Sequence, residues 1–404
     1  MFDILPLKNG LSNVEGFFCS GVNVGMKTNL ANSEDTDVDG DVAFIRSDEP
    51  CSISAVFTKN RFQAAPIKHF LRYGKKFKTN FILLNSKNAN AMTGEDGIKD
   101  INNIFAKLKE KLPNIKNPIM SSTGVIGYRL KKDLICDAFN KFDFNASNSD
   151  ATAKAIMTTD SFKKEICFRV ELEDGSTFHI AAICKGAGMI NPAMATMLCF
   201  ILTDANIPKQ DMDELLHDTI EQSFNTISVD GDTSTNDTVM LLSSNKNNAY
   251  DKDAFTEALN RITKHLSQEI LRDGEGSNKV VAFEVKNALN IEEAKKASKA
   301  LSNSLLVKTA LFGEDPNWGR IASTIGASRI TCKEEDLVIS YDNVIVYSKE
   351  NPSLDEETEQ KAFKVMEQDS YRITCDVNAG SATYTSYGCD LSYEYVKINA
   401  DYRT

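Results

Sequence analysis

The sequence predicts a mixed α/β fold, of either the α/β or the α+β class, because short β-rich runs alternate with amphipathic helical segments along its 404 residues. The composition, 42% hydrophobic and 25% charged, is that of an ordinary globular protein. A chain of this length corresponds to two or three domains of usual size and can bury a sizeable core.

Three segments place apolar residues at helical spacing on one face: residues 98–112, 208–224 and 251–272. Pro113 ends the first segment, Pro208 begins the second and Gly274 follows the third. These residues are usual start and stop signals of helices. We therefore expect three amphipathic helices that each pack one face on a core.

Short apolar runs, several of them alternating with polar residues, predict strands. They are Phe81–Leu84, Ile180–Ile183, Leu198–Leu202, Val280–Val285 and Val338–Tyr347. The polar stretch 142–150 predicts a surface loop, and the linker-like residues 243–248 predict a domain boundary near 240–250.

The charge and the apolar patterning disfavour several classes of protein. A net charge of −11 disfavours binding to nucleic acid, which needs a basic face to neutralise phosphates. No stretch approaches the roughly 18 apolar residues of a membrane span, and the start, Met1–Pro6, lacks the features of a signal peptide. The nine cysteines form no C-x-x-C pair, which predicts reduced thiols in a cytoplasmic protein.

A glycine-rich loop that leads into a threonine and a buried strand is the most informative feature. Lys185–Met189 precedes Ala195, Thr196 and the apolar run Met197–Leu202. If the bond between Ala195 and Thr196 is broken, the new α-amine, with a pKa of about 7.7–8.0, can act as base for the Thr196 hydroxyl. The alternative is a threonine that simply opens a core strand, which on spacing alone is the more frequent case.

Four dense polar clusters contain glycines and can bind ligands through close backbone approach. They are Asn85–Gly94, Ser121–Gly127, Ser228–Thr238 and Phe312–Arg320. Each alone is most often a turn. Thr123 and Gly124 have a specific chemical use, since a hydroxyl and a backbone N–H can stabilise an oxyanion.

Histidine and metal chemistry are disfavoured. None of the four histidines falls in a polar cluster, and C-x-x-C and H-x-x-x-H spacings are absent from the sequence. The acidic residues near Asp230 lack the glutamate that closes a calcium loop. Lys185 precedes its glycines, which excludes a P-loop.

Taken together, these motifs resemble the glutamate N-acetyltransferase/ornithine acetyltransferase family of arginine biosynthesis. The matching blocks are Gly21–Lys27, Val56–Arg61, Ala64–Pro66, Asn88–Ala91, Thr93–Gly94, Ser122–Gly127, Ala155–Asp160, Lys185–Met189, Met194–Leu198, Asp273–Gly276, Asp315–Arg320 and Ile398–Thr404. Two departures, Lys87 and Ser277-Asn278, touch no proposed catalytic position. The resemblance covers the whole chain in order.

The resemblance implies a layered αββα sandwich of the N-terminal-nucleophile type with a smaller α/β C-terminal part. It implies self-cleavage between Ala195 and Thr196 into an α chain, 1–195, and a β chain, 196–404, assembled as an α2β2 heterotetramer without metal or organic cofactor. Thr196 is then the nucleophile, and Thr123 and Gly124 stabilise the oxyanion. The implied substrate contacts are Thr158 (or its neighbour Thr159), Lys185, Thr196, Glu275, Asn399 and Thr404.

The implied reaction moves an acetyl group from N2-acetylornithine to glutamate by ping-pong kinetics. Whether acetyl-CoA is a second donor cannot be decided from the sequence. Two alternatives are a self-cleaving aminopeptidase of related fold, whose acyl-enzyme is resolved by water, and an uncut protein that only binds small molecules.

Overall fold

The computed structural model describes residues 1–26, 40–191 and 197–401. Within these ranges fifteen strands occur: β1 Phe2–Pro6, β2 Phe17–Val22, β3 Val42–Phe57, β4 Lys78–Asn85, β5 Ile119–Ser122, β6 Lys164–Leu172, β7 Thr177–Lys185, β8 Leu198–Thr203, β9 Ile227–Ser228, β10 Thr238–Ser243, β11 Val280–Ala288, β12 Val338–Tyr341, β13 Val344–Tyr347, β14 Ser370–Asp376 and β15 Ala382–Cys389.

The same described ranges contain eleven α-helices: α1 Ala65–Leu71, α2 Gly94–Lys111, α3 Lys132–Lys141, α4 Ser149–Ala155, α5 Lys209–Gln222, α6 Lys252–Arg272, α7 Ile291–Asn303, α8 Leu305–Phe312, α9 Trp318–Ala327, α10 Glu356–Met366 and α11 Tyr393–Asp401. None of these helices is long and apolar enough to cross a membrane. All nine cysteines are free thiols, as the sequence predicts.

The strand β3 is long enough to belong to both halves of one large sheet. The sheet has the order β1-β6-β7-β8-β10-β3-β4-β5, and β2 also pairs with β3. The first part of β3, from Val42 to Arg46, pairs with β2 and β4. The last part, from Ser52 to Phe57, pairs with β10. Because the partners change along β3, the sheet divides into two halves that share this strand.

The two halves of the sheet pack against each other. In β8, Phe200 and Leu202 share a core with Ile82 of β4, whereas Ile201 points to the opposite face, against α5 and α6. In β4, the alternate residue Phe81 packs against α2 and α3. Burial on both faces of each half gives four layers in the order α, β, β, α. The predicted layered fold is therefore confirmed.

A second, smaller core forms the C-terminal part. Its sheet has the order β13-β12-β14-β11-β15-β9, with β11 parallel to β14. Val281, Phe283 and Val285 of β11 pack with helices α7 to α10. The strand β9 lies between sandwich elements in the sequence but pairs with β15, which brings the residues that follow β9 to the junction of the two cores.

The three predicted helices correspond to α2, α5 and α6, and four of the five predicted strands occur singly. The fifth, Val338–Tyr347, is two strands, β12 and β13, because Asp342 adopts a left-handed turn conformation with φ 46°. The predicted loop 142–150 ends earlier than expected, since the Asn148 side chain accepts the Ala151 N–H and starts α4.

The residues around the predicted boundary near 240–250 connect β10 to α6. Both elements contribute to the core beneath α5 and α6, for example through Leu241 and Phe255. After β9, the next strand of the second sheet along the chain is β11, which begins at Val280.

Candidate active site

One polar cavity, of about 140 Å³, lies where loops of the sandwich meet the second core. Its walls come from the ends of β5, β7 and β9, the loop after α6, and α11. The lining residues are Ala89, Thr123, Gly124, Ile126, Thr158, Thr159, Lys185, Gly188, Met189, Asp230, Asp232, Ser234, Thr235, Asn236, Glu275, Tyr395 and Asn399. The cavity thus brings together the predicted residues Thr123, Gly124, Thr158, Lys185, Glu275 and Asn399.

Thr123 and Gly124 form a rigid pair of donors at the end of β5. The Thr123 N–H donates to the Asn85 carbonyl at 3.0 Å. Gly124 has φ +126°, and a Cβ there would lie 2.3 Å from the carbonyl carbon of Lys87, so only glycine fits. The Thr123 hydroxyl and the Gly124 N–H belong to residues that line the cavity. Both can therefore serve an oxyanion in the cavity.

Lys185 belongs to a buried ion network behind the cavity. Its Nζ lies 3.7 Å from Asp160, and the Lys164 Nζ contacts both Asp160, at 2.8 Å, and Asp273. Burial alone would raise the pKa of Asp160, but Lys185 and Lys164 lower it well below its ordinary value. Asp160 also accepts the Gly186 N–H at 2.7 Å. The ionised Asp160 carboxylate thus holds the start of the loop 185–190 through its contacts with Lys185 and the Gly186 N–H.

Glu275 and Asn399 face the cavity from the other side and contact each other. The Asn399 Nδ2 donates to Glu275 Oε2 at 2.7 Å, although 124 residues separate them. The Glu275 N–H donates to the Ala187 carbonyl at 3.0 Å, and a Cβ at Gly188 would lie 2.3 Å from Glu275 Oε1. A side chain at position 188 would therefore displace the Glu275 carboxylate, and glycine lets the loop contact it directly.

Asp230 fixes the far end of the same loop. Its carboxylate accepts the N–H groups of Met189 at 2.5 Å, Ile190 at 2.9 Å and Asp232 at 3.1 Å. The pKa of Asp230 is raised to about 6, mainly by burial. The nearby carboxylates of Asp232 and Glu275 add to this rise, and the hydrogen bonds from backbone N–H groups partly offset it. Asp230 is thus a titratable group in the wall of the cavity.

The sequence singled out the cluster Ser228–Thr238 but gave its members no role in the site. Five of them, Asp230, Asp232, Ser234, Thr235 and Asn236, line the cavity. The Asn236 side chain donates to the carbonyls of Ala89 and Ser122 and so joins this wall to the loop of Thr123. The density of polar residues was the sequence feature that marked this cluster. The sequence did not place the cluster at the cavity, because its position depends on the pairing of β9 with β15.

Thr158 and Thr159 both line the cavity, so the choice between them as the substrate contact stays open. The backbone N–H of Thr158 donates to Asp160 at 3.0 Å. The ion network that holds Lys185 therefore also positions this loop.

Three predicted residues, Ala195, Thr196 and Thr404, lie outside the described residues. Met197, which follows Thr196, is described: its N–H donates to Asp237 at 3.1 Å. Asp237 is completely buried, and burial raises its pKa well above the ordinary value. Asp237 directly follows Asn236 of the cavity wall, which places the start of β8 beside the cavity.

The fourth polar cluster, Phe312–Arg320, does not reach the cavity. Trp318 stacks on Tyr347, with ring centroids 4.4 Å apart, against the second core. No histidine lines the cavity, and the described part of the chain has no group of three or more His, Cys, Asp or Glu side chains suited to a metal ion.

A family model described as "ArgJ family" matches residues 19–404. The chain belongs to the ArgJ family. A protein of Wolinella succinogenes, named "Arginine biosynthesis bifunctional protein ArgJ", is 53% identical over 100% of both chains. A protein of Oceanobacillus iheyensis with the same name is 37% identical, covering 100% of this chain and 98% of its own.

A further relative, named "Glutamate N-acetyltransferase", comes from Methanocaldococcus jannaschii and is 42% identical over 90% of this chain and 94% of its own. The comparisons agree with the resemblance drawn from the sequence motifs. As a member of the ArgJ family, the chain is an acyltransferase of arginine biosynthesis.

Proposed function

We propose that this ArgJ-family enzyme transfers the acetyl group of N2-acetylornithine to glutamate through an acetyl ester on Thr196. The observation that carries the proposal is that Thr123 and Gly124, which can form an oxyanion site, line the same cavity as the Lys185 ammonium and the Glu275 carboxylate. Acyl transfer also needs a nucleophile and a base, and both would come from Thr196. The described neighbour of Thr196, Met197, is hydrogen-bonded to Asp237, which directly follows Asn236 of the cavity wall.

Self-cleavage comes first in the proposed mechanism. The Thr196 Oγ attacks the carbonyl carbon of Ala195, its proton passes to the Thr196 nitrogen, and the peptide bond breaks as the acyl group moves from nitrogen to oxygen. Water then hydrolyses the ester, which yields chains 1–195 and 196–404. The freed α-amine of Thr196 becomes the base for its own hydroxyl.

Acetyl transfer follows on the new N-terminus. The amine takes the Oγ proton as Oγ attacks the acetyl carbonyl of N2-acetylornithine, and Thr123 and Gly124 stabilise the resulting oxyanion. The carbon–nitrogen bond breaks, the proton passes to the leaving amine, and ornithine departs. The α-amine of glutamate then attacks the ester carbonyl, the bond from the acetyl carbon to Oγ breaks, and the proton lost by the glutamate amine returns through the Thr196 amine to Oγ. One covalent intermediate shared by two amino acids gives ping-pong kinetics.

Charge complementarity supports the assignment of substrate contacts. Lys185 supplies a cation for a substrate carboxylate, Glu275 a carboxylate for an ammonium group, and Asn399 an amide for either. From the resemblance we also assign Thr158 (or its neighbour Thr159), Thr196 and Thr404 as contacts. The proposal includes an α2β2 assembly in the cytoplasm and a reaction that uses no cofactor.

A second acetyl donor, acetyl-CoA, is also part of the proposal. It rests on the word "bifunctional" in the name of the 53% identical relative. A wild-type enzyme that acetylates Thr196 from acetyl-CoA, and releases thiol continuously only when glutamate is present, would support it. An enzyme that releases no thiol uses N2-acetylornithine alone.

The test of the proposed function is a mass spectrum of the purified protein, alone and after incubation with N2-acetylornithine. We expect two fragments that meet at Ala195/Thr196, and an added acetyl group on the fragment 196–404 that glutamate removes. Parallel double-reciprocal plots for the two substrates would confirm the ping-pong order. Loss of the acetyl group to water at the same rate without glutamate would instead indicate the aminopeptidase-like alternative, and an uncut chain would refute the mechanism.

Replacement of Thr123 by valine is expected to lower kcat by about 10²- to 10³-fold, the usual effect of removing one oxyanion donor. Valine keeps the size of threonine and loses only the hydroxyl. Thr123→Ser is the matched control and should keep most of the activity. Rates are measured per mole of cut protein, because self-cleavage uses the same donors. A valine variant with wild-type kcat would remove Thr123 from the oxyanion site.

A further inference from the structure

The proposed reaction makes an unusual electrostatic demand on its cavity. N2-acetylornithine brings an ammonium group on its side chain, whereas glutamate brings a carboxylate, and both must reach the same acetylated residue. Among the described residues, three carboxylates line the cavity, those of Asp230, Asp232 and Glu275, against a single lysine, Lys185. Carboxylates of fixed charge would favour the first substrate and repel the second.

Asp230 differs from the other buried carboxylate at this loop, Asp160, in its partners. Asp160 has two lysine partners and is held in its charged form. Asp230 forms no ion pair with a lysine or arginine among the described residues, and its hydrogen bonds come only from backbone N–H groups. Its charge can therefore change without breaking an ion pair.

The titratable groups that face Asp230 from the described part of the chain are acidic or neutral. Asp232 lies in the same loop, Glu275 follows α6, and Tyr395 projects from α11. Burial raises the pKa of the Tyr395 phenol, and Asp230, Glu275 and Asp232 raise it further, so these four groups are close together. Nothing in this set compensates a full negative charge on Asp230, which makes a bound proton an accessible alternative.

We infer that Asp230 is a specificity residue that adapts its charge to the substrate, ionised with the ornithine side chain and protonated with the glutamate side chain. The inference rests on the proposed function. The proton comes from bulk solvent when glutamate binds and returns to it when the amino acid leaves, so no other reactant is needed.

The geometry allows this change with little rearrangement. Protonation of Asp230 Oδ2 leaves Oδ1 free to accept the N–H groups of Ile190 and Asp232. Only the contact of Oδ2 with Met189 is weakened. A pKa of about 6 in the empty cavity places the neutral form within reach near neutral pH. A nearby ammonium lowers that pKa and a nearby carboxylate raises it.

Calorimetry with the cut wild-type enzyme tests the inference, using buffers that differ in ionisation enthalpy. Above the pKa of Asp230, about 6, glutamate binding is expected to take up close to one proton and ornithine binding almost none. Asp230→Asn, which keeps the size and one acceptor oxygen, should abolish the uptake. Asp232→Asn is the matched control from the same loop and should retain it.

Steady-state kinetics give an independent measurement. The ratio of kcat/KM in the Asn variant to that in the wild type, taken at each pH, cancels the titration of the substrate amine and of Thr196. For glutamate this ratio should rise by up to tenfold per pH unit above the pKa of Asp230, because the wild type must take up a proton. For N2-acetylornithine it should stay below one and show no such rise.

Two results would overturn the inference: no proton uptake by the wild type on binding glutamate, or an equal uptake in the Asp230→Asn variant. A cut enzyme that transfers acetyl groups but shows either result refutes only the role of Asp230. An enzyme that transfers no acetyl group from N2-acetylornithine refutes the proposed function itself.

Discussion

Replacement of Thr196 by alanine is expected to leave the chain uncut and to lower acetyl transfer by on the order of 10⁴- to 10⁶-fold, as when other covalent nucleophiles are removed. One change removes two functions. Without Oγ there is no acyl shift at Ala195, and without cleavage there is no free amine to act as base. Intact mass and the rate of ornithine release, measured on the same sample, check both effects.

Thr196→Ser is the control for this prediction. It retains a hydroxyl and, once cut, an α-amine, so we expect fragments 1–195 and 196–404 and a measurable rate. An alanine variant that is still cut would place the scissile chemistry on another residue. An uncut alanine variant with wild-type transfer would show that the nucleophile lies elsewhere in the cavity.

Replacement of Lys164 by methionine is expected to lower the free energy of unfolding by about 3–5 kcal/mol, the cost of breaking a buried ion pair from one side. The Lys164 side chain is fully buried between Asp160 and Asp273. Methionine fills a similar volume but leaves two buried carboxylates without their shared cation. Denaturant unfolding, followed by two probes, measures the difference.

The neighbouring residue provides the matched control. Lys163 pairs with Asp150 and Glu165, but its side chain is 32% exposed, so Lys163→Met should cost no more than about 1 kcal/mol. If both variants lost the same free energy of unfolding, burial would not explain the cost of the Lys164→Met change.

The pH dependence of the Lys164→Met loss has a definite sign. In the wild type the lysines lower the pKa of Asp160, so this stabilisation is present at neutral pH and fades as the pH falls through the folded-state value. In the variant the carboxylates bind protons more readily. The loss should therefore shrink towards acid pH, and a gap that widened there would exclude this explanation.

Local periodicity was enough to predict α2, α5 and α6, because each buries one regular apolar face. The double role of β3 was not predictable, since nothing in its sequence marks where its partners change from β4 to β10. The turn at Asp342 was missed because apolar residues continue on both sides of it.

The site follows the same division between local and long-range information. Thr123, Lys185 and Glu275 could be named because each stands in a recognisable motif, and the structure gathers them in one cavity. Asp230 and Asp160 could not be given roles from sequence. The pKa of each carboxyl group depends on whether a lysine from a distant strand lies beside it, and this contact is set by tertiary packing.

The position of β8 has a consequence for how the proposed cut would be seen. This strand lies in the middle of the large sheet, with six residues paired to β7 and six to β10. The strand β7 belongs to the piece 1–195, whereas β8 and β10 belong to the piece 196–404. After the cut, β8 would therefore still pair with a strand of the other piece. The two pieces would travel as one particle on a sizing column and separate only in denaturant. A nicked and an intact chain would be indistinguishable to any native measurement of size.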